Sequence, residues 1–400
     1  QLWNQDTGSG KDDPGMKRII DRVSQYFTLI ILIIAVAAGI YWLFTDPSVA
    51  IFAFTSVLIV ACPCALALTI PFTFGSTMRW FGRKGFYLKN TQVIEELYKA
   101  DTIVFDKTGT ITHSRSMNIS FQGDPLDADQ LLIIKSLVRH STHPLSAALF
   151  LRLEGDQYDP VTGFKEIPGL GISGEVNGVH VLLGSRRFVT GKEDSGEALK
   201  TWVYVSFNHK VLGYFHISNS YRPGLEQVIA GVAPTHALHI LTGDNEAEKT
   251  TIEQIFGSDR SLHFNQSPAD KLSYISRLRS QGHKVLMIGD GLNDAGALLH
   301  SNVGITIAYD VYHCSPACDA ILRSDRFAAL HRFISFTRTS LTIVYISFTL
   351  SFLYNIFGLW FAVRGLLTPI FAAILMPISS VSVVAFASLS IAFLAKRKLG

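Results

Sequence analysis

The chain carries no charged residue from 27 to 44, turns at Asp46 and Pro47, and carries none again from 47 to 78. The pattern repeats near the other end, where 339–363 and 365–395 are uncharged and only Arg364 separates them. Uncharged apolar runs of this length predict four membrane-spanning α-helices in two hairpins. Lys17, Arg18 and Arg22 precede the first run, and Arg79, Arg83 and Lys84 follow the second. Arg332 and Arg338 precede the third run, and Lys396, Arg397 and Lys398 follow the fourth. The short connections carry only Asp46 and Arg364, so the positive-inside rule puts both chain ends and the whole middle in the cytoplasm.

Between the hairpins the pattern changes. Short β-rich runs alternate with helical stretches over about 80–335, which predicts an α/β domain. Residues 102–105, 238–241, 285–288 and 303–307 read as buried parallel strands. The first three end in Asp106, in Thr242-Gly243-Asp244 and in Gly289-Asp290. Polar residues therefore gather at one sheet edge, where ligands of open α/β sheets bind. From about 116 to 213 the text turns to helices and alternating strands, such as 179–183 and 202–207, and reads as an inserted α+β domain. The expected division is a linker over 1–22, a hairpin over 23–79, a first catalytic part over 80–115 and the insert over 116–213. The second catalytic part covers 214–335, and the last hairpin 336–400.

Composition narrows this picture. Hydrophobic residues make up 48% and charged residues 17%, too apolar a balance for a purely soluble protein. A net charge of +3, with no basic cluster interleaved with aromatics, argues against nucleic acid as a partner. The four cysteines fall in two close pairs, Cys62/Cys64 and Cys314/Cys318, unlike a secreted disulfide framework. Residues 1–22 lack a signal-peptide pattern and read as a continuation of something upstream.

The chemistry centres on Asp106-Lys107-Thr108-Gly109-Thr110. A carboxylate straight after a buried strand can be a nucleophile toward phosphorus. Three other segments are expected to converge on it. Thr242-Gly243-Asp244-Asn245 offers a hydroxyl and amides to phosphate oxygens. Lys271 offers a cation to a transferring phosphoryl group. In Gly289-Asp290-Gly291-Leu292-Asn293-Asp294, Asp290 can share Mg²⁺ with Asp106 through hard oxygens, while Asn293 and Asp294 orient the site. In-line positioning and charge neutralisation are what phosphoryl transfer needs. Singly each is an ordinary loop; in this order, after strands, they form a set.

That set resembles the haloacid-dehalogenase-like phosphorylation domain of P-type ATPases. The resemblance implies that Asp106 takes the γ-phosphate of ATP as an aspartyl phosphate. Thr108 then gives its carbonyl, and Asp290 its carboxylate, to Mg²⁺, while Thr242, Gly243 and Lys271 hold the phosphoryl oxygens. Within the insert, Ser141-Thr142-His143-Pro144-Leu145 and the run from Gly169 to Gly174 resemble the nucleotide-binding domain of the heavy-metal branch. His143 and Pro144 are then placed by the adenine, and Gly169 and Gly171 let backbone approach the nucleotide. The glycine run does not open a helix after a strand, so it is not a dinucleotide fingerprint. Thr142 and Asn219 stand where that branch often has acids.

Cys62-Pro63-Cys64 lies in the second uncharged run. Pro63 has no amide hydrogen, so the helix loosens there and both sulfurs can approach one ion. Thiolates select Cu(I) or Zn²⁺. The last two runs contain Tyr354-Asn355 and Met376 with Ser379-Ser380, and no Asp, Glu, Lys or His. These strings resemble the copper(I) members of the branch. Cys62, Cys64, Tyr354, Asn355, Met376 and Ser380 are then expected around the transported ion. Cys314 and Cys318 read as buried thiols.

The resemblance covers the chain from first run to last. Copper pumps of this type carry an actuator domain with a Thr-Gly-Glu loop, and four further spans, before this point. No Thr-Gly-Glu occurs here. The expectation is therefore the C-terminal part of a bacterial plasma-membrane copper(I) exporter, using ATP and Mg²⁺. Membrane lipid, an N-terminal pump portion and a soluble copper chaperone are its expected partners. The alternatives are a zinc or cadmium pump, a membrane-tethered phosphohydrolase of the same superfamily, and a non-enzymatic copper-binding membrane protein.

Overall fold

The computed structural model describes residues 15–60, 64–192, 202–257, 260–291, 293–309 and 318–400, with the backbone alone at 15–25, 64–66, 113–116, 144, 219 and 247. In chain order, helices α1 (Gly15–Thr45), α2 (Pro47–Val60) and α3 (Cys64–Arg83) lead to strand β1 (Phe86–Leu88), helix α4 (Gln92–Lys99) and strand β2 (Thr102–Asp106). Then come β3 (Thr112–Gly123), α5 (Ala128–Val138), α6 (Pro144–Arg152), β4 (Val161–Ile167), β5 (Gly171–Val176), β6 (Val179–Gly184), α7 (Arg186–Thr190), β7 (Trp202–Phe207) and β8 (Lys210–Tyr221). Helix α8 (Leu225–Val232), β9 (Ala237–Leu241), α9 (Lys249–Phe256), β10 (Ser261–His263), α10 (Pro268–Ser280), β11 (Val285–Gly289), α11 (Ala295–His300), β12 (Val303–Ala308) and β13 (Ala320–Arg323) follow. Helices α12 (Leu330–Val363) and α13 (Pro369–Lys398) close the chain.

The chain divides into two compact units. The first holds residues up to Val104, Gln227–Ala237 and Lys271–Gly400. Its strands run β1-β13-β12-β11. β1 is antiparallel to β13, while β12 is parallel to both β13 and β11. β11 and β12 are buried at every position, as their unbroken apolar runs require. The Asp101 and Thr102 amides donate to the Lys284 carbonyl at 3.1 and 3.4 Å, and the Ala237 amide to the Asp101 carbonyl at 2.9 Å, so β2 starts between the starts of β11 and β9.

Among the described residues three helices are long and apolar enough to cross a membrane, over Tyr26–Thr45, Ser324–Val363 and Pro369–Lys398. The second uncharged run carries α2 and α3, with residues 61–63 between them outside the described residues. Hydrogen bonds from side chains, to backbone and to one another, tie this bundle together among the described residues. Trp42 Nε1 donates to the Val363 carbonyl at 2.9 Å and Ser56 Oγ to that of Leu367 at 2.7 Å, while the Thr77 and Ser340 hydroxyls lie 2.9 Å apart. Phe81 of α3, Phe86 of β1, and Phe333 and Phe336 of α12 pack ring on ring, which couples the bundle to the edge of the sheet.

The second unit holds Phe105–Glu226 and Leu238–Asp270. Six antiparallel strands run β3-β8-β7-β6-β5-β4. Their alternating inward positions bury Val176, Val181, Val205 and Phe215 against Ile134 and Leu137 of α5. A capping box starts α5, with the Gln130 amide donating to Asp127 Oδ1 at 2.8 Å and the Asp127 amide to Gln130 Oε1 at 3.1 Å. β9 and β10 pair in parallel in the same unit. The expected strands at 102–105, 238–241, 285–288, 303–307, 179–183 and 202–207 all form, each within one residue of its predicted ends.

Candidate functional site

Asp106 is the last residue of β2 and is buried. The chain then turns through Lys107–Ile111, with Thr108 extended and Gly109 at φ +74°, a region that favours glycine. Arg222 holds this turn from behind. Its Nε donates to the Thr110 carbonyl at 2.6 Å and its Nη2 to the Gly109 carbonyl at 2.8 Å. Lys107 Nζ lies 2.8 Å from Asp244 Oδ2 and 2.7 Å from Glu248 Oε2. Thr108 Oγ1 donates to Asp244 Oδ2 at 3.1 Å. The loop after β9 is pinned to β10, with the Thr242 amide donating to the His263 carbonyl at 3.0 Å and the Gln266 amide to the Thr242 carbonyl at 2.8 Å. The second unit thus brings Lys107, Thr108 and Asp244 together, with Thr242 Oγ1 accepting the Asp244 amide at 3.1 Å.

Burial pushes the Asp244 carboxyl up, but the Lys107 ammonium and the Thr108 and Thr242 hydroxyls outweigh it and hold the group below the ordinary carboxylate range. Glu248 receives the Tyr221 hydroxyl at 3.3 Å. Burial, then the Glu248 and Asp244 charges, raise that phenol. Glu248 and Arg222 are functional candidates that sequence reasoning missed. Glu248 sits in a short polar turn like many others, and its only signal is its place four residues after Asp244.

The first unit holds the other members. Lys271 Nζ meets Asp294 Oδ1 at 2.8 Å, both side chains buried. Burial raises the Asp294 carboxyl and the Asp290 charge adds to that, against the pull of Lys271. Asp294 Oδ2 is buried with no hydrogen-bond partner among the described residues. The Asn293 amide donates to Asp290 Oδ1 at 3.3 Å, which closes the turn after β11. Leu292 lies outside the described residues.

A cavity of about 240 Å³ opens in the second unit, lined by His143, Glu166, Gly169, Gly171, Ser185 and Trp202 among others. His143 caps α6, with its Nδ1 accepting the Leu145 amide at 3.2 Å. Glu166 accepts the Ser141 hydroxyl at 2.9 Å, and Ser141 Oγ in turn accepts the His143 amide at 3.1 Å. Glu166 is a third missed residue, because a contact 25 positions long leaves no local pattern. Gly171 faces Gly184 across β5 and β6, where a Cβ would meet the Leu183 carbonyl. Strand packing alone therefore demands glycine at 171. The side chains of Pro144 and Asn219 are not described.

Of the expected ion ligands, Cys62 lies outside the described residues, and of Cys64 only the backbone is described. Tyr354 is 43% exposed on α12, Asn355 and Met376 are half-buried, and Ser380 is buried on α13. Ser379 Oγ donates to the Met376 carbonyl at 2.8 Å. Cys314 lies outside the described residues, while Cys318 is buried beside Ala308, Ile321 and Tyr87.

A family model described as haloacid dehalogenase-like hydrolase matches residues 100–302. The chain is 31% identical over 396 residues to a probable copper-exporting P-type ATPase V of Mycobacterium tuberculosis, covering 93% of this chain and 51% of that protein. It is 30% identical over 385 residues to a probable copper-importing P-type ATPase A of Enterococcus hirae, covering 92% of this chain and 52% of that protein. The crystal structure of a zinc-transporting PIB-type ATPase in an E2.Pi state matches its fold with a TM-score of 0.78, over 93% of this chain and 63% of that one, at 24% identity. The chain spans about half the length of the curated relatives it matches. With three helices of membrane-crossing length, the likeness to these ATPases makes it an integral membrane protein.

Proposed function

Because the chain belongs to the haloacid dehalogenase-like hydrolase family, we propose that it forms the phosphoryl-accepting and C-terminal membrane part of an ATP-driven copper(I) exporter. The observation that carries this reading is the buried Asp106 at the end of β2, beside a lysine whose ammonium is directed to Asp244 and Glu248. That arrangement supports Asp106 as the nucleophile and Lys107 as the anchor of the neighbouring loop.

An Asp106 carboxylate oxygen attacks the γ-phosphorus of ATP. The bond to the β–γ bridging oxygen breaks, and ADP leaves with the electron pair. Thr242 Oγ1, the Gly243 amide and Lys271 Nζ neutralise charge on the transferring oxygens. Asp294 positions Lys271 through its 2.8 Å contact. The donor set suits Mg²⁺: Asp106 and Asp290 carboxylates and the Thr108 carbonyl are hard oxygens. The ion when bound offsets phosphate charge, and Asn293 holds Asp290 ready for it. His143, Pro144, Gly169 and Gly171 receive the adenine end of ATP, with Glu166 as an acceptor for its amino group.

Cys62 and Cys64, with Tyr354, Asn355, Met376 and Ser380, carry the ion, delivered by a soluble copper chaperone. Soft sulfur donors, with no Asp, Glu, Lys or His in 339–363 or 365–395, support Cu(I) over Zn²⁺. The relatives' remaining half would supply the actuator that releases the phosphate.

The test is phosphorylation from ATP radiolabelled at the γ-phosphate, in the full-length protein with Mg²⁺ and Cu(I). An acid-stable label is expected, and it should vanish in Asp106→Asn. A label that persists in this variant overturns the acceptor assignment. Stimulation by Zn²⁺ but not Cu(I), or Cu(I) dependence unchanged in Cys62→Ser, overturns the ion.

A further inference from the structure

We propose a second site, separate from the phosphoryl chemistry: a cleft in the first unit, where α4 and α8 meet the start of α12, that binds the phosphate headgroup of an anionic membrane phospholipid. The cleft is a cavity of about 140 Å³, with Tyr98, Thr235, His236, His331, Ser335 and Arg338 in its lining. Among the described residues no carboxylate lines it. The two acids of α4 nearest to it in sequence, Glu95 and Glu96, are turned onto Lys99 at 2.7 and 3.1 Å. An anion therefore meets a cation and neutral donors there, with no like charge on the walls.

The donors are only partly committed to one another. His236 Nδ1 lies 2.8 Å from Thr235 Oγ1 and 3.2 Å from the Val232 carbonyl. Burial lowers the His236 pKa, and the Arg338 charge lowers it further, while the Val232 carbonyl and Asp101 act the other way. His331 Nδ1 is buried, and among the described residues only the Ala328 carbonyl acts on the ring as a backbone acceptor. Gly231 of α8 makes room for that ring, since a Cβ there would come within 2.7 Å of it.

The source of the anion follows from where the cleft opens. A second hollow shares Tyr98 and Arg338 with it and continues along α12 over Leu341, Thr342 and Tyr345. Arg338 is the last charged residue before the uncharged run 339–363, so the mouth lies at headgroup level. Lys398 of α13 reaches the same level, its Nζ donating to Thr339 Oγ1 at 2.8 Å. Tyr98 and Tyr345 are exposed there, as aromatic residues at a membrane interface are. A soluble phosphate would use the polar cleft alone. A phospholipid uses both parts, with phosphate against Arg338, Ser335 and His331, and glycerol and acyl chain along Leu341 and Tyr345.

The experiment places the full chain in nanodiscs of phosphatidylcholine with or without phosphatidylglycerol, and counts retained lipid by native mass spectrometry. Phosphatidylglycerol should be retained over phosphatidylcholine. Arg338→Gln should weaken that preference about fivefold, the worth of one interfacial cation, and Arg338→Lys should keep most of it. Ser335→Glu, at an exposed helical position that leaves the fold alone, should abolish it by bringing a like charge into the cleft. A preference that survives both Arg338→Gln and Ser335→Glu overturns the site. Displacement of the lipid by inorganic phosphate at equal concentration overturns the lipid as its source.

Discussion

Lys107 and Lys271 are both buried, and each ends on a carboxylate 2.8 Å away. The carboxylates answer in opposite directions. Asp244 is 44% exposed, so water shares its charge, and its hydrogen bonds win over burial. Asp294 is fully buried with Asp290 close by, and burial wins although the ammonium is as near. The comparison teaches that the distance between charges does not set the sign of a shift. Solvent access and the second neighbour do.

The largest effect should come from breaking the buried pair. Lys271→Met leaves Asp294 without its cation and should cost about 3–5 kcal/mol in urea unfolding of the detergent-solubilised protein. Adding Asp294→Asn should restore most of it, because the stranded charge goes too. The pair with the water-exposed carboxylate should be milder: Lys107→Met should cost about 1–3 kcal/mol, since Asp244 can rehydrate. Equal losses in the two single variants would end the comparison.

The smallest effect lies in the pH dependence, where the two acids should differ in sign. The Asp244 pKa is depressed on folding, so its contribution is present above the unfolded value and lost as pH falls through the folded one. The Asp294 pKa is raised, so its contribution is present below the unfolded value and lost as pH rises through the folded one. Unfolding midpoints titrated across the acid range should therefore diverge in opposite directions from the parent in Asp244→Asn and Asp294→Asn. Parallel curves would show that the environments are alike.

Much of the fold was legible because its signals are local. The strands at β2, β9, β11 and β12 are short apolar runs ending in polar residues, and hydropathy alone delimits them. Hydropathy likewise reads 47–78 as one apolar segment, and the structure describes α2 and α3 within it, on either side of residues 61–63, which lie outside the described residues. Glu248 and Glu166 were illegible, because each acts through a partner that only folding brings near.

From the order of its residues alone, the chain determined its apolar runs, its strands, and the Asp106 motif with Thr242, Lys271 and Asp290 as candidate companions. Those depend on periodicity and on neighbours a few positions away. Only the tertiary structure decided that Lys107 pairs with Asp244 and Glu248 and that Asp294 is shut away from water. It alone opened the cleft around Arg338 and His331. Such properties depend on which distant segments pack together and how much solvent they exclude, and no short stretch of sequence carries that information.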